Sequence, residues 1–83
     1  MSTQIPPQLI DELMDRYVEW REACMALRAA YERWSSVRLA EREFAFAAYR
    51  AALDREEQAS ARYGARFEQG ARELSRARSV AAA

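Results

Sequence analysis

The chain has 83 residues, room for one small domain, and its 13 basic residues, all Arg, balance 13 acidic residues. With no net charge, it has no general attraction to nucleic acid or to an anionic membrane. It contains no His, so the commonest acid–base group near neutral pH is missing and the Glu-x-x-His pairs of di-iron bundles cannot form. We therefore predict that it is not an enzyme, with no catalytic, cofactor-binding or metal site.

The residue content predicts an all-α fold. Only two Gly and two Pro occur, and residues 8–63 contain neither, although turns and strands normally need them. Ala, Arg, Glu and Leu dominate that stretch, and all are strong helix formers. The Ala/Arg bias is typical of a high-GC coding genome, such as that of an actinobacterium.

Three features bear on the cellular compartment. The single cysteine, Cys24, excludes an intramolecular disulfide and suits a reducing compartment. No apolar run approaches the roughly 18 residues of a membrane span, and the first residues lack the basic start and apolar core of a signal peptide. We expect cytoplasmic residence, with signal-independent secretion left open.

The first predicted helix starts at Pro7, because the first helical position tolerates a missing N–H. With Pro6 as cap, Ile5 and Ile10 occupy the two positions of a hydrophobic staple. Apolar residues then alternate in spacings of 3 and 4 over four heptads, which is typical of a coiled-coil-like seam. This seam comprises Ile10, Leu13, Tyr17, Trp20, Cys24, Leu27, Tyr31 and Trp34, and it contains the motif Tyr-x-x-Trp twice.

After Trp34 the heptad frame fails, and a new one begins at Leu39. A turn or a one-residue skip inside one long helix would explain the change. A turn is favoured, because Ser35 and Ser36 are good N-cap residues for a second helix. The second heptad comprises Leu39, Phe46, Leu53, Ser60, Phe67 and Leu74, with Tyr49 and Tyr63 in companion positions.

Charge supports an antiparallel hairpin. Residues 1–34 carry a net charge of −2, and residues 58–83 carry +3. Folding the chain at the two serines brings these segments together, although exposed pairs contribute only about 0–1 kcal/mol each. The predicted architecture is an antiparallel two-helix hairpin, coiled-coil-like, with helices at 7–34 and 38–78 and a turn at 35–37. Residues 1–6 form an extension, and 79–83 a disordered tail.

A lone hairpin covers one face of each helix, so we predict a four-helix bundle with a second copy, or pairing with another helical protein. Aromatic side chains at helical spacing are more often core than a separate recognition face, and Cys24 fits the seam as a small apolar residue. An interchain disulfide and a sensor thiol remain alternatives for Cys24. The predicted core and interface residues are Leu13, Tyr17, Trp20, Cys24, Leu27, Tyr31, Trp34, Phe44, Phe46, Tyr49 and Leu53.

The distal segment suggests an alternative, nucleic-acid binding, because basic and aromatic residues interleave there. The candidate contacts are Arg62, Arg66, Arg72 and Arg76. The competing interpretation is a solvated helix end whose arginines complement the helix dipole and the acidic start of the first helix. The carboxylates, Glu56 among them, are interpreted in the same way, as a solvated helix face.

One resemblance adds a further alternative. A helical hairpin of this size with a Trp at its bend resembles the Trp-x-Gly hairpins secreted by type VII systems of actinobacteria. Here the tripeptide is Trp34-Ser35-Ser36, and Tyr49 and Tyr63 are each followed four residues later by an apolar residue rather than the acid of the family's export signal. The resemblance, of layout plus one Trp, implies a heterodimer with a second hairpin and no small-molecule substrate.

Overall fold

The computed structural model describes residues 5–82 and shows two long helices packed against each other. Helix α1 spans Pro7–Ser36, a single 3-10 turn spans Leu39–Glu41, and α2 spans Arg42–Ala82. The helices are antiparallel, and the hairpin is a rod of 67 × 15 × 13 Å. The all-α, two-helix prediction is confirmed: 95% of the structure is helical and the described part contains no strand.

The start of α1 follows the sequence prediction. Pro6 is the cap residue and Pro7 the first helical residue. The carbonyl of Pro6 accepts hydrogen bonds from the N–H groups of Leu9 and Ile10, at 3.1 and 3.3 Å. Ile5 and Ile10 line the same apolar groove, as a hydrophobic staple requires. Residues 1–4 of the predicted extension lie outside the described residues.

The bend differs from the prediction, because the two serines end α1 instead of capping α2. The hydroxyl of Ser35 donates to the carbonyl of Tyr31 at 3.0 Å, and that of Ser36 donates to the carbonyl of Glu32 at 2.8 Å. These bonds reach back one helical turn, which is the alternative use of a serine hydroxyl near a helix end. The backbone becomes extended at Val37, so α1 is two residues longer than predicted and α2 begins at residue 42 rather than 38.

The far end of α2 also differs from the prediction. Residues 79–82 continue the helix, where the sequence analysis expected a disordered tail. No Pro or Gly follows Gly70, and Ala and Arg dominate the segment, so nothing in its local chemistry ends the helix. Ala83 of the predicted tail lies outside the described residues.

The seam of α1 is rotated relative to the predicted one. Its buried residues are Leu9 and Ala23, neither of which belongs to the predicted set. Tyr17 and Tyr31 remain 40% and 51% exposed and therefore lie at the edge of the contact. A small residue such as Ala23 lets the helices approach closely, whereas a tyrosine ring at the centre of the contact would separate them. Four predicted residues are half-buried in the contact: Leu13, Trp20, Leu27 and Trp34.

Small residues likewise form the centre of the contact on α2. Its buried positions are Ala45, Ala59 and Gly70, and Leu39 of the predicted heptad is 83% exposed. The line of inward-facing residues advances in steps of 4 and 3, as in a coiled coil. It comprises Ala45, Tyr49, Ala52, Glu56, Ala59, Tyr63, Arg66 and Gly70.

The two glycines are expected to respond differently to alanine. A Cβ at Gly70 would lie 2.7 Å from Cδ1 of Leu9, whereas a Cβ at Gly64 meets nothing within 4 Å. Since Ala is favoured over Gly inside a helix by about 1 kcal/mol, Gly64→Ala should raise the free energy of unfolding by that amount. Gly70→Ala should gain less or destabilise, because Leu9 must move. Urea unfolding of both variants measures the difference, and an equal gain would contradict the close Leu9–Gly70 contact.

Candidate interaction surface

The first aromatic cluster lies towards the open end of the hairpin, and we call it the open-end cluster (Tyr17, Trp20, Tyr63 and Phe67). The Trp20 and Tyr63 rings stack, with centroids 5.7 Å apart and planes 20° apart. Tyr17 meets Trp20 edge-on at 6.3 Å and Tyr63 at 5.9 Å. Phe67 extends the cluster at 6.5 Å from Tyr63. Stacked and edge-to-face pairs each contribute about 0.5–1.5 kcal/mol beyond burial.

The second cluster lies next to the bend, and we call it the bend cluster (Tyr31, Trp34, Phe46 and Tyr49). Trp34 stacks on Tyr49, with centroids 5.3 Å apart and planes 16° apart. Tyr31 meets Trp34 edge-on at 6.1 Å, and Phe46 covers Trp34 from 5.1 Å. Each Tyr-x-x-Trp motif of α1 therefore receives one stacking Tyr from α2.

The two clusters are copies of one arrangement. Tyr17 and Tyr31 are 14 residues apart in α1, and Tyr63 and Tyr49 are 14 residues apart in α2, in the opposite chain direction. At 1.5 Å per residue the clusters are about 21 Å apart along the rod. The sequence revealed the repeat in α1, but it gave no direct sign that Tyr49 and Tyr63 are the residues that stack on the tryptophans.

Glu56 is a correction to the sequence analysis, which assigned it to a solvated face. The side chain is half-buried in the contact, and its Oε1 accepts a hydrogen bond from Nε1 of Trp20 at 3.0 Å. An indole N–H in a helix contact needs an acceptor, and leaving it unpaired costs free energy. A search for polar residues in phase with Tyr49 and Tyr63 would have found Glu56.

Glu56→Ala is expected to lower the free energy of unfolding by about 1–2 kcal/mol, because it leaves the Trp20 N–H without its acceptor. Glu56→Gln keeps an acceptor oxygen at the same place and should lose less than half as much. Chemical unfolding followed by tryptophan fluorescence measures both variants. Equal losses in the two would mean that the negative charge, and not the hydrogen bond, stabilises this position.

One face of the open end carries ion pairs between the helices, and we call it the polar face. Glu12 pairs with Arg66, and Glu19 pairs with Arg62. Hydrogen bonding from Arg62 holds the pKa of the Glu19 carboxyl below its ordinary value. Stability from this pair is therefore present above the ordinary carboxyl pKa and is lost as pH falls through the lowered one. The expected proximity of the acidic start of α1 to the basic part of α2 is found at these two pairs.

These ion pairs change the interpretation of the basic segment. Arg62 and Arg66, two of the four candidate nucleic-acid contacts, pair with carboxylates of α1. Arg66 also lies 3.7 Å from Glu73. Arg72 and Arg76 are exposed. The structure therefore places only half of the candidate basic contacts free of interhelical pairs.

The opposite side of the rod carries exposed apolar residues from both helices, and we call it the apolar face. At the open end it contains a groove of about 310 Å³ between the helices, lined by Ile10, Met14 and Phe67 among others. Farther along α1 the face continues through Tyr17, Cys24 and Tyr31, which repeat every seven residues from Ile10. On α2 it comprises Phe46, Leu53, Ser60, Gly64, Phe67, Ala71 and Leu74.

The predicted partner-facing residues of α2 separate into three groups. Tyr49 and the half-buried Leu53 belong to the helix contact. Phe46 is 40% exposed at the edge of the bend cluster. Phe44 is 80% exposed and lies on the side away from the apolar face, where it lines a groove with Ala45 and Ala48. The prediction that these side chains point in different directions is consistent with this placement.

Neither the described structure nor the comparisons point to a known activity. Among residues 5–82 no group of three or more Cys, Asp or Glu could hold a metal ion, and neither described helix is long and apolar enough to cross a membrane. No family model matches the chain, and neither does any curated protein or solved structure at a significant level.

Proposed function

We propose that this protein is a non-enzymatic helical interaction module that associates with a second copy of itself through the apolar face. The observation that carries the proposal is the run of exposed apolar side chains along one side of the rod. Met14, Met25 and Phe67 are 55%, 67% and 56% exposed. Exposed apolar area of this extent marks an interaction site on a protein surface. Two hairpins joined at this face form a four-helix bundle.

The dimensions of the rod fit a stable dimer. A face 67 Å long and 13–15 Å wide has a projected area of roughly 1,000 Å², and a standard interface buries about 800 Å² per partner. The zero net charge of the chain means that two copies do not repel each other overall. The lone Cys24 suits a reducing compartment, and we place the proposed function in the cytoplasm.

Light scattering of the purified protein across a dilution series tests this function. The expected native mass is twice the 9.6 kDa of one chain, with dissociation only at high dilution. A monomer at all concentrations would contradict self-association and would direct attention to a different helical partner.

The second candidate is a heterodimer with another helical hairpin, as in the type VII secretion systems. It is supported by the hairpin layout and by the position of Trp34 next to the bend, where its ring packs on Phe46 and Tyr49. A gene for a second hairpin adjacent to this one, whose product converts the monomer into a one-to-one complex, would favour this alternative.

A further inference from the structure

We infer that the second copy docks with its bend at the same end, so that α1 of each copy packs on α2 of the other. This inference rests on the proposed self-association and specifies its geometry. A two-fold axis that joins two apolar faces runs either along the rod or across it. An axis along the rod stacks α1 on the partner's α2, whereas an axis across it stacks α1 on α1 and places the bends at opposite ends.

Charged residues on the apolar side of α1 distinguish the two arrangements. Arg21 and Arg28 follow Met14 at seven-residue intervals, so they lie on the same side of α1 as Met14, and both are exposed. A crosswise dimer that covers the whole face has its axis at the midpoint of α1, between Arg21 and Glu22. That axis places Arg21 against its own copy, where like charges repel.

The lengthwise arrangement gives the same arginines acidic neighbours. Because Tyr17 is level with Tyr63 and Tyr31 is level with Tyr49, each residue of α1 has a known level on α2. Arg21 is level with residue 59, within one turn of Glu57. An axis along the rod preserves these levels, so the partner's α2 presents Glu57 next to Arg21.

Two more pairs follow from the same levels. Arg28 is level with residue 52, within one turn of Asp54, and Glu32 is level with residue 48, within one turn of Arg50. All of these side chains are exposed in the single hairpin, and none of them takes part in the salt bridges between described residues. The lengthwise dimer therefore gains three opposite-charge pairs on each of its two α1–α2 contacts.

Gly64 fits this geometry as well. A Cβ at this position would meet nothing within 4 Å, although the residue is half-buried and lies on the apolar face. Its level on α1 is that of residue 16, next to Tyr17. The lengthwise dimer places the partner's aromatic ring over this gap, a large side chain against a small one.

A charge-reversal experiment tests the arrangement. Arg21→Glu with Arg28→Glu should weaken the dimer at least about tenfold, because it sets acids against Asp54 and Glu57. Mixing this variant with Asp54→Arg/Glu57→Arg should restore a dimer of the two different chains. The matched control, Arg33→Glu with Arg55→Glu, reverses two exposed charges away from the apolar face and should leave the dissociation constant unchanged. A tighter dimer of Arg21→Glu/Arg28→Glu would overturn the lengthwise arrangement, since removing arginine repulsion is the crosswise result.

A distance measurement between the bends gives an independent test. Arg38→Cys in a Cys24→Ser background carries a spin label at the bend, and the label-to-label distance is measured by pulsed electron spin resonance. The lengthwise dimer predicts a distance of about 20–30 Å, the width of a bundle plus the labels. A distance approaching the 67 Å length of the rod would overturn the inference and leave self-association intact. A monomeric wild-type protein in the light-scattering series would instead remove the proposed function itself.

Discussion

Trp34→Ala is expected to lower the free energy of unfolding by about 3–5 kcal/mol, the range for truncating a large core aromatic side chain. Three rings surround Trp34, and its stack on Tyr49 joins the two helices next to the bend. Trp20→Ala should lose a similar amount, because Trp20 has the equivalent stack on Tyr63 and a hydrogen bond to Glu56. Thermal and urea unfolding at one fixed protein concentration measures both, since unfolding of an oligomer depends on concentration.

Leu39→Ala is the control for these truncations. Leu39 belongs to the heptad predicted from sequence but is 83% exposed at the bend, so its truncation should change the free energy of unfolding by less than about 0.5 kcal/mol. Unchanged melting in both tryptophan variants would refute the two aromatic clusters as the centre of stability. A large loss in Leu39→Ala would place the bend in an interface instead.

Met14→Glu combined with Met25→Glu is expected to convert the dimer into a monomer. Both methionines are more than half exposed on one side of α1, and burying two unpaired carboxylates in each copy costs several kcal/mol. Met and Glu have similar helix propensities, so the hairpin itself should be unaffected, and circular dichroism checks that it is. Size-exclusion chromatography with light scattering measures the mass.

Phe44→Glu is the matched control for the methionine pair. Phe44 is 80% exposed and lies on the side of the rod that the proposed dimer leaves open to solvent. The variant should remain dimeric with an unchanged dissociation constant. Dissociation of Phe44→Glu together with a stable dimer of the methionine variant would mean that the groove beside Ala48 is the interface.

Much of the fold was predictable because helix periodicity and breaker content are local properties of the sequence. The start at Pro7 and the two Tyr-x-x-Trp motifs belong to this class. The end of α1 was not, because a serine has two uses near a helix end, and only the path of the backbone decides between capping forward and bonding backward. Ser35 and Ser36 take the second.

The rotation of the seam escaped prediction for a different reason. Hydrophobicity ranks Tyr17 and Tyr31 above Ala23, whereas close packing of two helices favours the smallest side chain at the centre. Glu56 escaped because a carboxylate in the contact depends on one indole N–H from the other helix. Both are properties of a pair of helices, and neither is encoded in the periodicity of one of them.

The two-heptad repeat leaves the helices with a problem of register. Sliding α1 by 14 residues along α2 would still place one Tyr-x-x-Trp motif against a tyrosine, so the aromatic clusters alone allow more than one alignment. Contacts without a counterpart in the other cluster exclude the slipped state: Leu9 over Gly70, Trp20 on Glu56, and Glu12 with Arg66. A single polar position often sets alignment in a coiled coil. In this hairpin the alignment depends on contacts at the middle and open end of the rod, so lengthening the bend should leave it intact while weakening Glu56 and Gly70 together should not.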